Sequence, residues 1–169
     1  MTTLSQSLFS DQDLNRHLDG AVQTVLKHQE RITGVKGPQA ERSASYQSAL
    51  NHLNTIRGRN LYYPYLGSGM GRGPYVELDD GSIKLDFING IGINLFGHSH
   101  PELLRVAAQA SLKDVVMQGN LQPNKEYSEF LDLLVKVAGR QSRLRRGWIG
   151  TCGTIVNENA LKMARQKNA

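Results

Sequence analysis

The chain has one cysteine, Cys152, one tryptophan and five prolines in 169 residues. A lone thiol excludes an internal disulfide and a cysteine-based zinc cluster. No apolar run approaches the roughly 20 residues that cross a bilayer, which excludes a membrane-spanning helix. The opening MTTLSQSLFSDQ has neither a basic n-region nor an apolar h-region, so it does not read as a secretory signal. A soluble cytoplasmic protein is the expectation. Aromatic residues are scarce, at 7%, and none interleaves with the one dense basic cluster, Arg143, Arg145 and Arg146. Nucleic-acid binding therefore lacks its stacking partners. The formal charge of +5 suits an anionic partner, but a solvated basic segment accounts for the cluster equally well.

Hydrophobic residues at 39% suffice for a modest core. Ser10 is expected to cap a first helix, with Asp11 and Asp13 in its first turn, where the helix dipole favours negative charge. Leu14, Leu18, Val22, Val25 and Gln29 share one face, with Leu26 beside it. GVKGP at 34–38 breaks the helix. Pro38 opens a second one, in which Tyr46, Leu50, Leu53 and Ile56 recur at helical spacing up to Arg57-Gly58.

The stretch LYYPYLGSGMGRGP at 61–74 reads as irregular. Its G-x-G-x-G-x-G fails as a dinucleotide fingerprint, because no strand is expected before it and no helix after it. YVELDDGSIKLDF at 75–87 predicts a β-hairpin, with Val76 and Leu78 alternating on one arm, Ile83 and Leu85 on the other, and Asp80-Gly81 at the turn. The three glycines of INGIGINLFGHSHP (88–101) predict backbone in close approach to another surface or a ligand.

Pro101 suits the first turn of a helix whose inner face would be Leu103, Leu104, Ala107, Ala108, Ser111 and Leu112. A loop around Gly119–Asn124 is expected to lead to a helix from Glu126 to Ala138. That helix would turn Phe130, Leu131, Leu134 and Val137 inward and end at Gly139. A short strand over Gly147–Gly150 and a helix over Ile155–Gln166 complete the pattern. There is no internal repeat and no low-complexity tract.

WIGTCGTIVNENALKMAR (148–165) thus reads as strand, small-residue turn and helix. Gly153 lets a ligand approach the chain, the helix start offers unpaired N–H groups and partial positive charge, and Thr154 adds a hydroxyl. Together these can hold a phosphate. The alternative is that Thr154 only caps its own helix. His98 and His100 could suggest a metal, but no third ligand clusters with them, which points to hydrogen bonding. Cys152 borders the helix start, yet no adjacent histidine marks it as a nucleophile.

Two blocks carry a resemblance. GRGPYVELDDGSIKLDFINGIGINLFGHSHPELLRVAAQ (71–109) resembles the N-terminal segment of class III aminotransferases, which use pyridoxal 5'-phosphate and have fold type I. The matching residues are Gly71, Gly73, Tyr75, Asp80-Gly81, Leu85-Asp86-Phe87 and Gly97-His98-Ser99-His100-Pro101. TCGTIVNENALKMAR (151–165) is similar to a second block of that family through Asn157, Glu158, Ala160, Leu161, Lys162, Ala164 and Arg165.

The resemblance implies an α/β fold that is the N-terminal fragment of a fold type I transferase. Residues 60–118 would be a segment with the hairpin and the following helix, and 119–169 the start of the large cofactor-binding domain; residues 1–59, which the resemblance does not specify, read as a helical extension. Gly153 and Thr154 would bind the cofactor phosphate through backbone amides and the hydroxyl. Cys152 stands where the family usually has serine, and Ile155 where an acidic residue is common. Ile91, and Tyr63 or Tyr62, would face the substrate.

The implied parent reaction moves an amino group from an amino acid or amine to a 2-oxo acid, in a homodimer that needs no metal, nucleic acid or membrane. The family also includes an aminomutase and a decarboxylase. No catalytic residue is expected within the chain, since the Schiff-base lysine and the carboxylate partner of the pyridine nitrogen would lie beyond residue 169. Lys162 and Lys167 are not their substitutes. The fragment is therefore expected to be inactive alone. The competing expectation is a non-catalytic partner-binding or dimer-interface module derived from the family.

Overall fold

The computed structural model describes residues 2–114 and 123–167. They fall into two compact units, Met1–Lys113 and Asp114–Ala169, and each is taken by itself below. The architecture is α/β: helices with a small three-stranded antiparallel sheet.

The first unit opens with α1 (Leu4–Phe9), which a capping box between Thr3 and Gln6 starts. Ser10 ends this helix rather than capping the next, its N–H already donating to the carbonyls of Gln6 and Ser7. The cap of α2 (Gln12–Gln29) is instead Asp11, whose carboxylate accepts from Leu14 N at 2.8 Å. The expected stripe is present on α2: Val22 and Gln29 are buried, and Leu14, Leu18, Val25 and Leu26 are half-buried.

The helix α3 runs Ala40–Arg57 with Gln39 as N-cap, so Pro38 precedes it without entering it. Gly58 ends it in the left-handed conformation, φ 69°, as the Arg57-Gly58 pair predicts. On this helix Leu50 is buried at 4% exposure, whereas Ile56 is 70% exposed. The predicted face is thus real in its middle and absent at its end.

Strand β1 covers Gly67–Arg72, inside the stretch expected to be irregular. Glycine-rich sequence carries no strand preference of its own. The ladder to β2 (Tyr75–Leu78) makes it a strand, through Gly71↔Val76 and Arg72↔Tyr75 and, past a bulge, Gly67↔Leu78. The predicted hairpin is present, β2 pairing with β3 (Ile83–Leu85) in the register Tyr75↔Leu85, Val76↔Lys84, Glu77↔Ile83. Gly81 supplies the positive φ of the turn, 76°.

The glycine-rich loop that follows contains a four-residue turn, α4 (Asn89–Gly92), and then α5 (Pro101–Ala110) begins with proline at its first position. The buried apolar side chains of this unit are Val22, Ile32, Leu50, Leu78 and Ile83. They come from the helices and the hairpin together. On α5 the half-buried positions are Leu104, Arg105, Ala108 and Gln109, while the expected Leu103 and Leu112 stay largely exposed. Arg105 replaces them because it faces α2, where it meets Asp19 and Asn15.

In the second unit α6 spans Lys125–Ala138, capped by the Asn124 side chain on Tyr127 N at 2.8 Å. The expected loop at Gly119–Asn124 lies outside the described residues up to 122, as does the expected domain boundary at 118/119. Of the side chains predicted to face inward, Phe130, Leu134 and Val137 are exposed and only Leu131 is half-buried. Gly139 ends α6 in right-handed geometry, continuing into a 3-10 turn.

The strand expected at Gly147–Gly150 does not form. A strand exists only through ladder bonds to a neighbour, and no described segment provides one. The last helix, α7, runs Gly153–Lys167, starting two residues earlier than expected. No helix of the described residues is long and apolar enough to cross a membrane.

Candidate functional site

Two places carry the residues singled out by sequence: the turn before α7 in the second unit, and the loop from Asp86 to His100 in the first.

At the turn, Val156 N donates to Cys152 O at 3.1 Å, the first bond of α7. Cys152 is therefore the residue at the helix entrance, and Gly153 and Thr154 lie in its first turn. Thr154 stands inside the first turn of this helix rather than at its cap position. Among the described residues no hydrogen bond engages its hydroxyl.

A side-chain carbon placed on Gly153 would meet nothing within 4 Å, so the space in front of the turn is open. The first turn of α7 holds no acidic residue, leaving the positive end of the helix dipole uncompensated. Cys152 is a free, exposed thiol. Before the turn the chain is tight: a carbon added to Gly150 would stand 2.7 Å from Val156 Cγ2 and 2.9 Å from the Trp148 ring. That requirement for glycine at 150 was not read from the sequence.

The structure therefore brings Cys152, Gly153 and Thr154 together at one open helix start, with free N–H groups, one free hydroxyl and no carboxylate. Such a set suits a phosphate group. The cofactor implied by the second sequence block fits these residues on that ground.

In the first unit, Asp86 and His98 organise the loop. His98 Nε2 lies 2.7 Å from Asp86 Oδ2. Asp86 Oδ1 accepts from Ile88 N at 2.8 Å and from Asn89 N at 3.0 Å. The hydrogen bond from His98 holds the Asp86 carboxyl below its ordinary value, with help from the Asn89 and Ile88 amides and against the effect of burial. His98 and Gly73 exchange backbone hydrogen bonds of 2.8 and 3.2 Å.

The close approach predicted from the glycines is found here, since a carbon on Gly97 would lie 2.8 Å from Gly73 Cα and one on Gly71 2.8 Å from His98 Cβ. The pairing of Asp86 with His98 was not read from the sequence; the signal for the Asp86 turn was an aspartate two residues before Ile88-Asn89, an Asx-turn pattern. His100 points its buried Nδ1 at no partner. Among the described residues no group of histidine, cysteine, aspartate or glutamate could hold a metal ion.

Asp86, His98 and Gly73 also line an open recess of about 500 Å³, with Asn89 and Phe96 on its wall. Ile91 and Tyr63 do not line it. Ile91 projects into solvent at 93% exposure, with φ 58°, between Gly90 and Gly92, both also at positive φ. A β-branched residue in this region is strained by about 1–3 kcal/mol. Tyr63 is half exposed and packs edge-on against Tyr62, ring centroids 4.7 Å apart.

Comparison with known proteins adds the context for both places. The family model described as "Aminotransferase class-III" matches residues 64–169. A protein of Schizosaccharomyces pombe named "Probable acetylornithine aminotransferase, mitochondrial" is 32% identical over 62% of this chain and 24% of its own length. The acetylornithine aminotransferase of Aquifex aeolicus is 31% identical over 57% of this chain and 24% of its own. The glutamate-1-semialdehyde 2,1-aminomutase of Symbiobacterium thermophilum is 30% identical over 56% and 21%.

The chain spans about a quarter of the length of these relatives. No solved structure gives a significant match. The matched region takes in both sequence blocks, the hairpin with its Asp86–His98 loop and the turn before α7. On that match, covering well over half of its residues, the chain belongs to the class III aminotransferases.

Proposed function

We propose that this chain is the N-terminal part of a fold type I, pyridoxal-phosphate-dependent transaminase. On this reading its turn at 151–154 holds the cofactor phosphate. The amides of Gly153 and Thr154 donate to the phosphate oxygens, the Thr154 hydroxyl adds a further donor, and the partial positive charge of α7 favours the anion. Cys152 flanks the phosphate with a thiol, a weaker donor than a hydroxyl. The observation that carries the reading is the open, carboxylate-free start of α7, with the Thr154 hydroxyl unengaged.

The bound cofactor would supply an electron sink for bond breaking at the carbon that bears the amino group. This chain's own residues contribute binding and shape. Ile91 and Tyr63 would border the substrate, an amino acid or amine donor and a 2-oxo acid acceptor, in a homodimer. Residues 1–59 would be an extension, 60–118 the segment before the large domain, and 119–169 its beginning. The lysine and carboxylate of the chemistry are assigned to the part of the relatives' length that this chain does not span. Lys162 is not assigned that role, because it matches a non-catalytic position of the family's second block; on the exposed face of α7 it pairs with Glu158 at 3.0 Å. The chain by itself is then inactive.

A second reading, a non-catalytic interface module, draws support from the run of exposed apolar side chains at Phe87, Ile88, Ile91, Ile93, Leu95 and Phe96. Contiguous apolar surface of this kind marks interaction sites. The two readings differ in a titration of the full chain with pyridoxal phosphate, followed by the fluorescence of Trp148, its single tryptophan. Saturable quenching that inorganic phosphate reverses and Thr154→Val weakens supports the cofactor reading. Quenching insensitive to phosphate, or none, removes it.

A further inference from the structure

Residues 2–59 lie outside the region that the family model matches, yet they supply Val22, Ile32 and Leu50 to a buried apolar core completed by Leu78 and Ile83 of the hairpin. Three short strands have no second hydrophobic layer of their own and are marginal alone. The extension is that layer, and it is fastened at several points.

Lys36 and Ile83 exchange both backbone hydrogen bonds, each 3.0 Å. At the hairpin turn, Gln39 N donates to Asp80 O and Arg42 Nη1 to Asp79 O, both at 2.9 Å. On α5, Arg105 reaches back to α2, donating from Nε to the Asp19 carboxylate and from Nη2 to Asn15 Oδ1. The Arg105 side chain is only 21% exposed, so these partners supply hydrogen bonds that water would supply to a surface arginine. Near the start of the chain, Lys113 Nζ sits 4.9 Å from the centroid of the Phe9 ring.

We propose that residues 2–59 act as an intramolecular clamp that holds the hairpin and α5 in one cooperative unit, with Arg105 as its latch. The function follows from the attachment points. They grip the hairpin turn and the helix that starts directly after His100, so the clamp fixes both ends of the segment containing the Asp86–His98 loop. The role is independent of the cofactor reading, since nothing in it involves the turn at 151–154.

Hydrogen exchange of the full chain, read by mass spectrometry, tests it. The amides of 75–85 should exchange together with those of α2 and α3, at one common protection. Arg105→Ala should accelerate exchange in both α2 and α5 by about tenfold or more, as expected for loss of a charge-assisted hydrogen bond in a half-buried setting. Asp19→Asn, which keeps the shape and the Asn15 contact, should give a smaller acceleration confined to the same two helices.

The proposal fails if α2 and α3 exchange much faster than the hairpin in the unaltered chain, or if both substitutions leave α2 and α5 unchanged. It fails also if cross-linking of mixed light and heavy chains joins α2 of one copy to α5 of another, which would make the extension an exchanged arm. Should Arg105→Ala unfold the unit entirely, Asp19→Asn alone decides.

Discussion

His98 Nε2 and Asp86 Oδ2 stand 2.7 Å apart across twelve residues of chain, and this one contact closes the loop that carries Ile91. Asp86 is tied at its other oxygen to the Ile88 and Asn89 amides, and His98 is tied through its backbone to Gly73. The pair therefore joins the end of β3, the start of the loop and the turn between β1 and β2.

Stability should depend on the Asp86 charge. Its carboxyl is held below the ordinary aspartate value, first by the His98 hydrogen bond. A group depressed in the folded state contributes stability above its unfolded value, and loses it as pH falls through the folded one. The loss is therefore expected below about pH 4, the ordinary aspartate value. Asp86→Ala should lower stability at neutral pH by roughly 1.5–3 kcal/mol, the range for hydrogen bonds to a charged group, and should flatten this acid limb. Urea midpoints measured across that range check both effects; an unchanged acid limb would contradict the assignment.

Two glycines should respond to alanine with opposite signs. Gly97 has φ 83° and would push its new carbon to 2.8 Å from Gly73 Cα. Gly97→Ala should destabilise by about 2 kcal/mol or more. Gly20 lies inside α2 with nothing within 4 Å of an added carbon, so Gly20→Ala should stabilise by about 0.5–1 kcal/mol. Chemical denaturation of the two variants side by side gives the comparison.

The helix α3 offers a similar contrast. Leu50 is buried and Ile56, six residues on, is exposed. Leu50→Ala should cost about 2–4 kcal/mol through lost burial and a cavity, and Ile56→Ala less than about 0.5 kcal/mol. Equal costs would mean that Ile56 is covered by something in solution.

At the turn before α7, Gly153→Asp separates folding from binding. The position has open space around it, and a carboxylate in the first helical turn should stabilise α7 by about 0.3–1 kcal/mol. The same charge should abolish phosphate-reversible quenching of Trp148 by pyridoxal phosphate. Retained binding in this variant would remove the turn from the cofactor reading.

Much of the local structure was legible from residue types. Asp80-Gly81 between alternating arms defines a hairpin because few other turns fit those residues. Pro101 and Gly58 mark a helix start and end, since one lacks an N–H and the other tolerates positive φ. The glycines of 88–101 announced the contact with Gly73. Where the reading missed, the deciding forces were not local. Glycine-rich β1 is a strand through its partner alone, Gly147–Gly150 is not one for want of a partner among the described residues, and the cap of α2 moved to Asp11 because Ser10 was already used by α1.

The amino-acid sequence by itself determined the family, through two blocks of residues in order, and the chemistry offered at Cys152, Gly153 and Thr154, since backbone amides and a hydroxyl at a helix start follow from residue type. Tertiary structure alone decided that Thr154 is free rather than a cap, that Asp86 is the partner of His98, and that Arg105 turns toward Asp19. Those outcomes depend on which groups meet across long stretches of chain, and residue spacing along the chain does not contain that information.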